Sequence, residues 1–408
     1  MDKINRLKEQ GVTILQPQTV YIGPEVAMER IAHPGVVIYP GCRLEGKDTL
    51  ILGGAELGAE GPVHIRNCML GPHVALKGGF FEGAVFLAGA QMGLGAHVRS
   101  GTILEEGARG AHTVALKQTL LFPYVTLGSL INFCDCFMAG GTSKTDHSEV
   151  GSSFIHFNFT PNQDKATPSL LGDVPRGVML DQHPIFLGGQ GGVVGPCRMT
   201  YGTVTAAGSI IRHDILKGDQ VVLEGLHRSL KVAATPGKYT NIQRILVNNF
   251  HYIANLKALS QWYRHVRPCF AGAAFPPELL QGLQINLASQ IEERLRRLGQ
   301  LADKMAVSRE LCPPAGREYQ RQDEFRKQWP GIQDSLGTLF NSHEPGPAGD
   351  AFLLLLTGDG NFVPASYPKT MGRLSAKTKT TGRLWLQNIV DGVLADLQSL
   401  LPAFTILP

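Results

Sequence analysis

Apolar side chains recur at a spacing of six through Ile51, Leu57, Val63, Met69, Ala75, Phe81 and Leu87, and after a one-residue slip the beat resumes at Met92, Val98 and Leu104. That period is neither the 2 of a strand face nor the 3.6 of a helix. It predicts a hexapeptide-repeat parallel β-helix, in which each short strand turns one apolar residue inward and glycine or small polar residues make the corners. Each coil then buries its face only against its neighbours. The 48 glycines and 25 prolines, set against 18% charged residues, suit such a turn-dense solenoid better than a helical bundle.

The repeat dominates residues 21–230 behind a short cap, residues 1–20, in which Ile4 and Leu7 share a helical face that Gly11 ends. Ala207 to Ile215 reads as a last coil. Polar runs at Thr142–His147 and Thr160–Pro168 are too long for corners and are expected to leave the solenoid as loops, where function usually sits on a rigid repeat. Over residues 238–408 the period changes to 3.6. Ile242, Ile245, Leu246, Ile253, Leu256 and Tyr263 form one stripe, and Leu287, Ile291, Leu295, Leu298 and Met305 a second. A Pro/Gly-rich stretch, 312–350, is expected to separate these from a final helix carrying Leu384, Leu386, Ile389, Val393, Leu397 and Leu400. The fold class is therefore mainly β, a parallel β-helix followed by an α-helical C-terminal region.

A net charge of +4 over 408 residues, without a basic tract interleaved with aromatics, argues against nucleic-acid binding. Lys3, Arg6 and Lys8 precede no apolar signal core, and no run of 18 apolar residues occurs, so membrane insertion and secretion are not expected. Seven scattered cysteines fit a reduced, cytoplasmic protein. Cys134-x-Cys136 has the wrong spacing for a zinc knuckle and is read as alternating small residues on one strand, with no metal site expected. Phe186 to Gly192 is glycine-rich but lacks the trailing Gly-Lys-Ser/Thr of a phosphate loop, so solenoid corners explain it better.

The stretch Val150-Gly151-Ser152-Ser153-Phe154-Ile155-His156-Phe157-Asn158-Phe159, followed by Lys165-Ala166-Thr167 and Leu171-Gly172-Asp173, resembles the acetyltransferase half of the bacterial bifunctional enzyme that makes UDP-N-acetylglucosamine. The likeness covers roughly residues 10–215. It implies a left-handed parallel β-helix, a homotrimer, and acetyl-CoA as the cosubstrate for N-acylation of a phosphorylated or nucleotide-linked amino sugar between subunits. Arg99 looks like the family's arginine for the sugar phosphate, and Lys117 falls near its substrate lysine. Ser143-Lys144-Thr145-Asp146-His147 resembles the family's Ser-Lys-x-x-His, whose histidine is the general base. Asn158 and Lys165 resemble further substrate-binding positions, and Gly189 and Ala207 align with positions lining the coenzyme channel. Val150, Phe159 and Gly189 stand where the family has tyrosine, tyrosine and serine. A counterpart of the family's nucleotidyltransferase half, with its Gly-Thr-Arg signature, is not expected, because the first hexads come early in this sequence.

Chemically, a histidine titrating near neutrality suits removal of a proton from an acceptor amine, and His147 is the candidate base, with Asp146 or Glu149 placed to orient it. The bland alternative is a solvated loop. His156, flanked by Phe154, Ile155, Phe157 and Phe159, reads instead as a packed, half-buried strand histidine. Arg99, Lys144 and Lys165 are suited to an anionic substrate, or are ordinary surface charges. Two function classes remain open: an acyltransferase, and a noncatalytic β-helix protein that binds a sugar nucleotide or scaffolds an assembly. Nucleotidyl transfer is a weaker third.

Overall fold

The computed structural model describes every residue except 1, 226–230, 232–234, 365 and 408. Helix α1 (Asp2–Glu9) caps a solenoid of three parallel sheets with eleven, ten and eight strands. The chain visits them in fixed order. Thr13–Ile14 starts the first sheet, Tyr21–Ile22 the second and Leu50–Ile51 the third. Every strand pairs in parallel with its counterpart one coil away, so equivalent positions stack into columns. Three edges result: first to second, second to third, and third to first.

The inward column follows the six-residue beat with a phase shift. Ile51 pairs with Leu70 and Leu57 with Leu76, so Met69 and Ala75, which fit the unbroken beat, turn outward. The cause is the longer strand Val63–Arg66, in which both Val63 and Ile65 are buried. Leu87 is buried for another reason: the inward residue of its strand is Phe86, packed with the lumen, while Val85 and Leu87 belong to the cluster outside the third sheet. Leu50, Ile103, Leu120, Phe137 and Leu170 join them there. The third sheet is thus apolar on both faces, the pattern of a covered parallel sheet. The solenoid also continues past the expected last coil, since Val221–Val222 pairs with Val204–Thr205. Its expected end at residue 230 lies outside the described residues.

The cover is the C-terminal region. After α2 (Val174–Gly177), a turn within the coils, come α3 (Ile242–Gln261), α4 (Pro277–Glu310), α5 (Arg317–Asn341), α6 (Gly346–Gly358), α7 (Tyr367–Arg373) and α8 (Ala376–Leu400). The expected separator, 312–350, holds the 25-residue α5, which carries Pro330 inside it and buries Gln322, Phe325, Ile332 and Leu336. Their spacings of three, seven and four place them on one helical face, which outweighs one exposed proline. Leu384 departs from the final stripe and is 59% exposed; Val390 and Leu394 fill the buried face instead. No helix among the described residues is long and apolar enough to cross a membrane.

Helix α4 runs beside the second-to-third edge. Gly282 meets Met69 and Val85, Gln290 Nε2 donates to the Gly101 carbonyl at 2.7 Å, Arg294 pairs with Asp135, and Lys304 donates to the Asn162 carbonyl. At the opposite edge a second buried contact joins solenoid to helices. Arg267, 1% exposed, pairs with Glu106 at 2.5 Å under the rings of Tyr367 and Phe275. Tyr263 donates to Glu105 Oε1 at 2.6 Å.

Burial, opposed by Arg267 and reinforced by Glu106, raises the Glu105 carboxyl to about 7. A raised acid binds its proton more tightly folded than unfolded, so its contribution is fully present below its ordinary value of 4.5 and is lost as pH climbs to about 7. Glu105→Gln removes that loss, worth on the order of 3 kcal/mol by the size of the shift. The variant is expected to melt above the parent at pH 8 and to show a flatter dependence between pH 5 and pH 8. A variant melting below the parent at pH 8 would show that the ionised carboxylate is needed there.

Candidate active site

The loop at the third-to-first edge is built for a tight return. Strand Cys136–Met138 ends, Gly140 and Gly141 take φ of 116° and 86°, and Gly141 forms an antiparallel bridge with His147. A Cβ on Gly141 would lie 2.5 Å from the His147 Cα, so the position requires glycine. Ser143 Oγ accepts from the Asp146 amide at 3.1 Å, and Thr142 Oγ1 donates to Asp146 Oδ2 at 2.7 Å. Asp146 is therefore spent within the loop. Below it, buried Ser148 donates to the Ala139 carbonyl and accepts from the Ile185 amide, both at 2.9 Å.

His147 Nδ1 lies 3.0 Å from the Lys144 carbonyl. A carbonyl only accepts, so Nδ1 carries the proton and the neutral ring keeps a lone pair on Nε2. That nitrogen is 3.7 Å from Glu149 Oε2, and the side chain is 15% exposed. Glu149, not Asp146, is the carboxylate beside the ring, placed to stabilise it once Nε2 takes a proton. The Lys144 ammonium is exposed on the same loop.

Arg99, Lys117 and Cys134 occupy successive rungs at the second-to-third edge, following the pairing of Val98 with Leu116 and of Lys117 with Cys134. Arg99 is exposed, Lys117 half-buried, and Arg99 Nη2 sits 3.9 Å from Cys134 Sγ. Burial nonetheless dominates the Cys134 thiol and pushes it up. Cys134 and Cys136 lie on different strands, because Asp135 between them turns the corner at φ 62°. This replaces the expected single strand with alternating residues. Asn158 Nδ2 donates to Asp135 Oδ2 at 2.9 Å, and the other oxygen of this 5% exposed carboxylate holds Arg294. Lys165 is exposed on the loop that follows, anchored by buried Asp164, which accepts from Tyr239 at 2.8 Å.

Gly189 and Ala207 lie at the remaining, first-to-second edge, after strands Phe186–Leu187 and Val204–Thr205. The glycines there are demanded by stacking of consecutive corners: a Cβ on Gly188 would come within 2.4 Å of the Ala206 and Ala207 backbone. Within one chain, the candidate base, the candidate acceptor-binding residues and the candidate coenzyme positions therefore sit on three different edges. Lys144 is the one acceptor candidate on the His147 edge. Among the described residues, Arg99, Lys117, Lys144 and Lys165 form no ion pair, so all four charges are available to an anion.

His156 is not half-buried but 2% exposed, in the inward column. Its Nδ1 donates to the Cys134 carbonyl at 2.6 Å and its Nε2 accepts from Ser169 Oγ at 2.8 Å, while Ser169 accepts from the Cys197 amide at 3.1 Å. Burial lowers it to about 4. Neutral, with both ring nitrogens engaged, it is a structural residue. Sequence reasoning missed Arg294 and Asp135. The signal was present: Arg294 lies between Ile291 and Leu298 on an apolar helix stripe, where a charge calls for a buried partner.

No family model matches the chain. Curated relatives do. It is 28% identical over 235 residues to the bifunctional protein GlmU of Thermotoga maritima, covering 55% of this chain and 46% of that one. It is 26% identical over 214 residues to GlmU of an Exiguobacterium species, covering 52% and 41%. The chain spans less than half the length of these relatives. The solved structure of LpxA from Acinetobacter baumannii aligns with 52% of this chain and 71% of its own at 13% identity and a TM-score of 0.17. With its hexad columns and its three parallel sheets, the solenoid is a parallel β-helix that is similar in sequence to part of GlmU.

Proposed function

We propose that the chain is a cytoplasmic, acetyl-CoA-dependent N-acyltransferase acting on a phosphorylated or nucleotide-linked amino sugar. His147 is the general base; Arg99, Lys117, Lys144, Asn158 and Lys165 meet the acceptor, and Gly189 and Ala207 line the coenzyme path. The observation that carries this reading is the His147 ring, with Nδ1 fixed on the Lys144 carbonyl, Nε2 free and Glu149 Oε2 at 3.7 Å. In the reaction the acceptor nitrogen bonds to the thioester carbonyl carbon and the C–S bond breaks. The amine proton passes to His147 Nε2 and then to the departing coenzyme A thiolate.

The dispersal of the candidate groups over three edges supports assembly as a homotrimer, in which one chain's base edge faces another chain's acceptor edge. The chain's own helices cover the third sheet, which leaves the first and second for such contacts. A second reading, a noncatalytic binding or scaffold protein, is favoured by one observation: the Asn158 amide is already bound to Asp135.

Calorimetric titration with acetyl-CoA, paired with a turnover assay on amino-sugar phosphates and nucleotide amino sugars, separates the two. Binding with release of coenzyme A supports the enzyme; no binding at millimolar acetyl-CoA leaves the scaffold reading.

A further inference from the structure

The loop that carries Lys165 is held from outside the solenoid. It leaves the second sheet after strand Ile155–Phe157 and joins the third at Ser169. Exposure alternates along its later half: Asn162 is half-buried, Gln163 exposed, Asp164 buried, Lys165 exposed and Ala166 buried. Each of the inner positions is gripped by the helical region. Lys304 of α4 donates to the Asn162 carbonyl, and the Gly237 amide donates to Asn162 Oδ1 at 3.0 Å. Tyr239 donates to Asp164 Oδ2 at 2.8 Å, and Asn249 Nδ2 of α3 donates to the Ala166 carbonyl at 2.9 Å.

Tyr239 is the centre of this grip. Its amide donates to buried Ser308 Oγ of α4 at 2.8 Å, and its carbonyl accepts from buried Gln322 Nε2 of α5 at 2.9 Å. Burial and then the Asp164 charge push its hydroxyl up, so it stays protonated and donates. Asp164, 3% exposed, also accepts from Thr160 Oγ1 within the loop, while its Oδ1 finds no partner among the described residues. A buried carboxylate this short of donors cannot lose another without moving toward water. Lys165 lies between two held residues and forms no ion pair among the described residues. A cation on a backbone fixed beforehand meets an anion without the cost of ordering the loop on binding.

We propose that Tyr239 is a positioning residue for the acceptor: with Lys304 and Asn249 it fixes the backbone on both sides of Lys165, so that this ammonium meets the acceptor's anionic group. The inference rests on the acyltransferase reading and assigns the helical region a part in it.

The test uses the full chain with Tyr239→Phe, Lys304→Met, Lys165→Ala and the double variant Tyr239→Phe/Lys165→Ala, each checked for native circular dichroism. Tyr239→Phe is expected to raise the acceptor KM about tenfold, the loss of one hydrogen bond to a charged group, with kcat and the acetyl-CoA KM within about twofold. Lys304→Met is expected to act in the same direction. Amide hydrogen exchange over 160–166 is expected to quicken in both. The double variant is expected to bind acceptor no worse than Lys165→Ala alone, because the hydroxyl acts through that lysine. An unchanged acceptor KM in Tyr239→Phe with turnover intact, or fully additive losses in the double variant, would overturn the proposal and leave the acyltransferase reading standing. Absence of coenzyme A release by the parent chain would overturn both.

Discussion

Replacing His147 with alanine is expected to cut turnover of the accepted amino sugar by about 10²–10⁴-fold, the range for a positioned general base, while acetyl-CoA affinity stays within about twofold. The loop argues for this separation. Ser143, Thr142 and Asp146 close the turn with hydrogen bonds that do not involve the imidazole, and Ser148 anchors its base. Deleting the ring removes one hydrogen bond, Nδ1 to the Lys144 carbonyl, and the longer contact with Glu149, and leaves the hydrogen bonds of the turn intact. Glu149→Gln is expected to cost less, about tenfold, because Glu149 acts only once Nε2 is charged. Wild-type turnover in His147→Ala would remove the base from this loop altogether. Equal and severe losses of acetyl-CoA binding and turnover would instead mark the loop as structural.

The solenoid was legible because its geometry imposes a short period on the chain, and Ile51, Leu57, Phe81, Met92, Val98 and Leu104 hold the inward column as the beat requires. The phase was harder to read. Met69 and Leu87 are as apolar as any lumen residue, yet they face outward toward α4 and its neighbours. The clue was the doubling of apolar residues in Leu50-Ile51, Met69-Leu70, Leu120-Leu121 and Leu170-Leu171, which marks a sheet buried on both faces and so announces the helical cover. Period alone cannot distinguish a lumen residue from one beneath a helix.

The site was legible only as local motifs. Ser143 to His147 does form a compact loop with an available ring nitrogen, but that this nitrogen lies beside Glu149 rather than Asp146 follows from the turn at Gly141 that bridges back to His147. A linear sequence also gives no sign that His147, Asn158 and Gly189 sit on different edges, since edge assignment depends on every loop length before them. The buried contact between Asp135 and Arg294 spans 159 positions, and no repeat connects them.

That contact carries the second large effect. Arg294→Met is expected to destabilise the protein by about 3–5 kcal/mol, because it strands the Asp135 carboxylate in a site that is 5% exposed. The pair itself contributes far less than this. Arg294 is 2% exposed and its Nη1 finds no partner, so much of the attraction is offset by desolvation. Asp135→Asn added to Arg294→Met is therefore expected to recover most of the loss: asparagine tolerates the left-handed corner at φ 62°, and its Oδ1 accepts from Asn158 as the carboxylate does. Urea midpoints for the two single variants and the double variant measure the coupling. Kinetics on the same proteins reach the function of the helical region. If α4 holds Asn158 in place through Asp135, Arg294→Met raises the acceptor KM while that for acetyl-CoA is unchanged, and the double variant restores it. An unfolding midpoint for Arg294→Met equal to that of the parent would show that α4 is not clamped to this edge through Asp135.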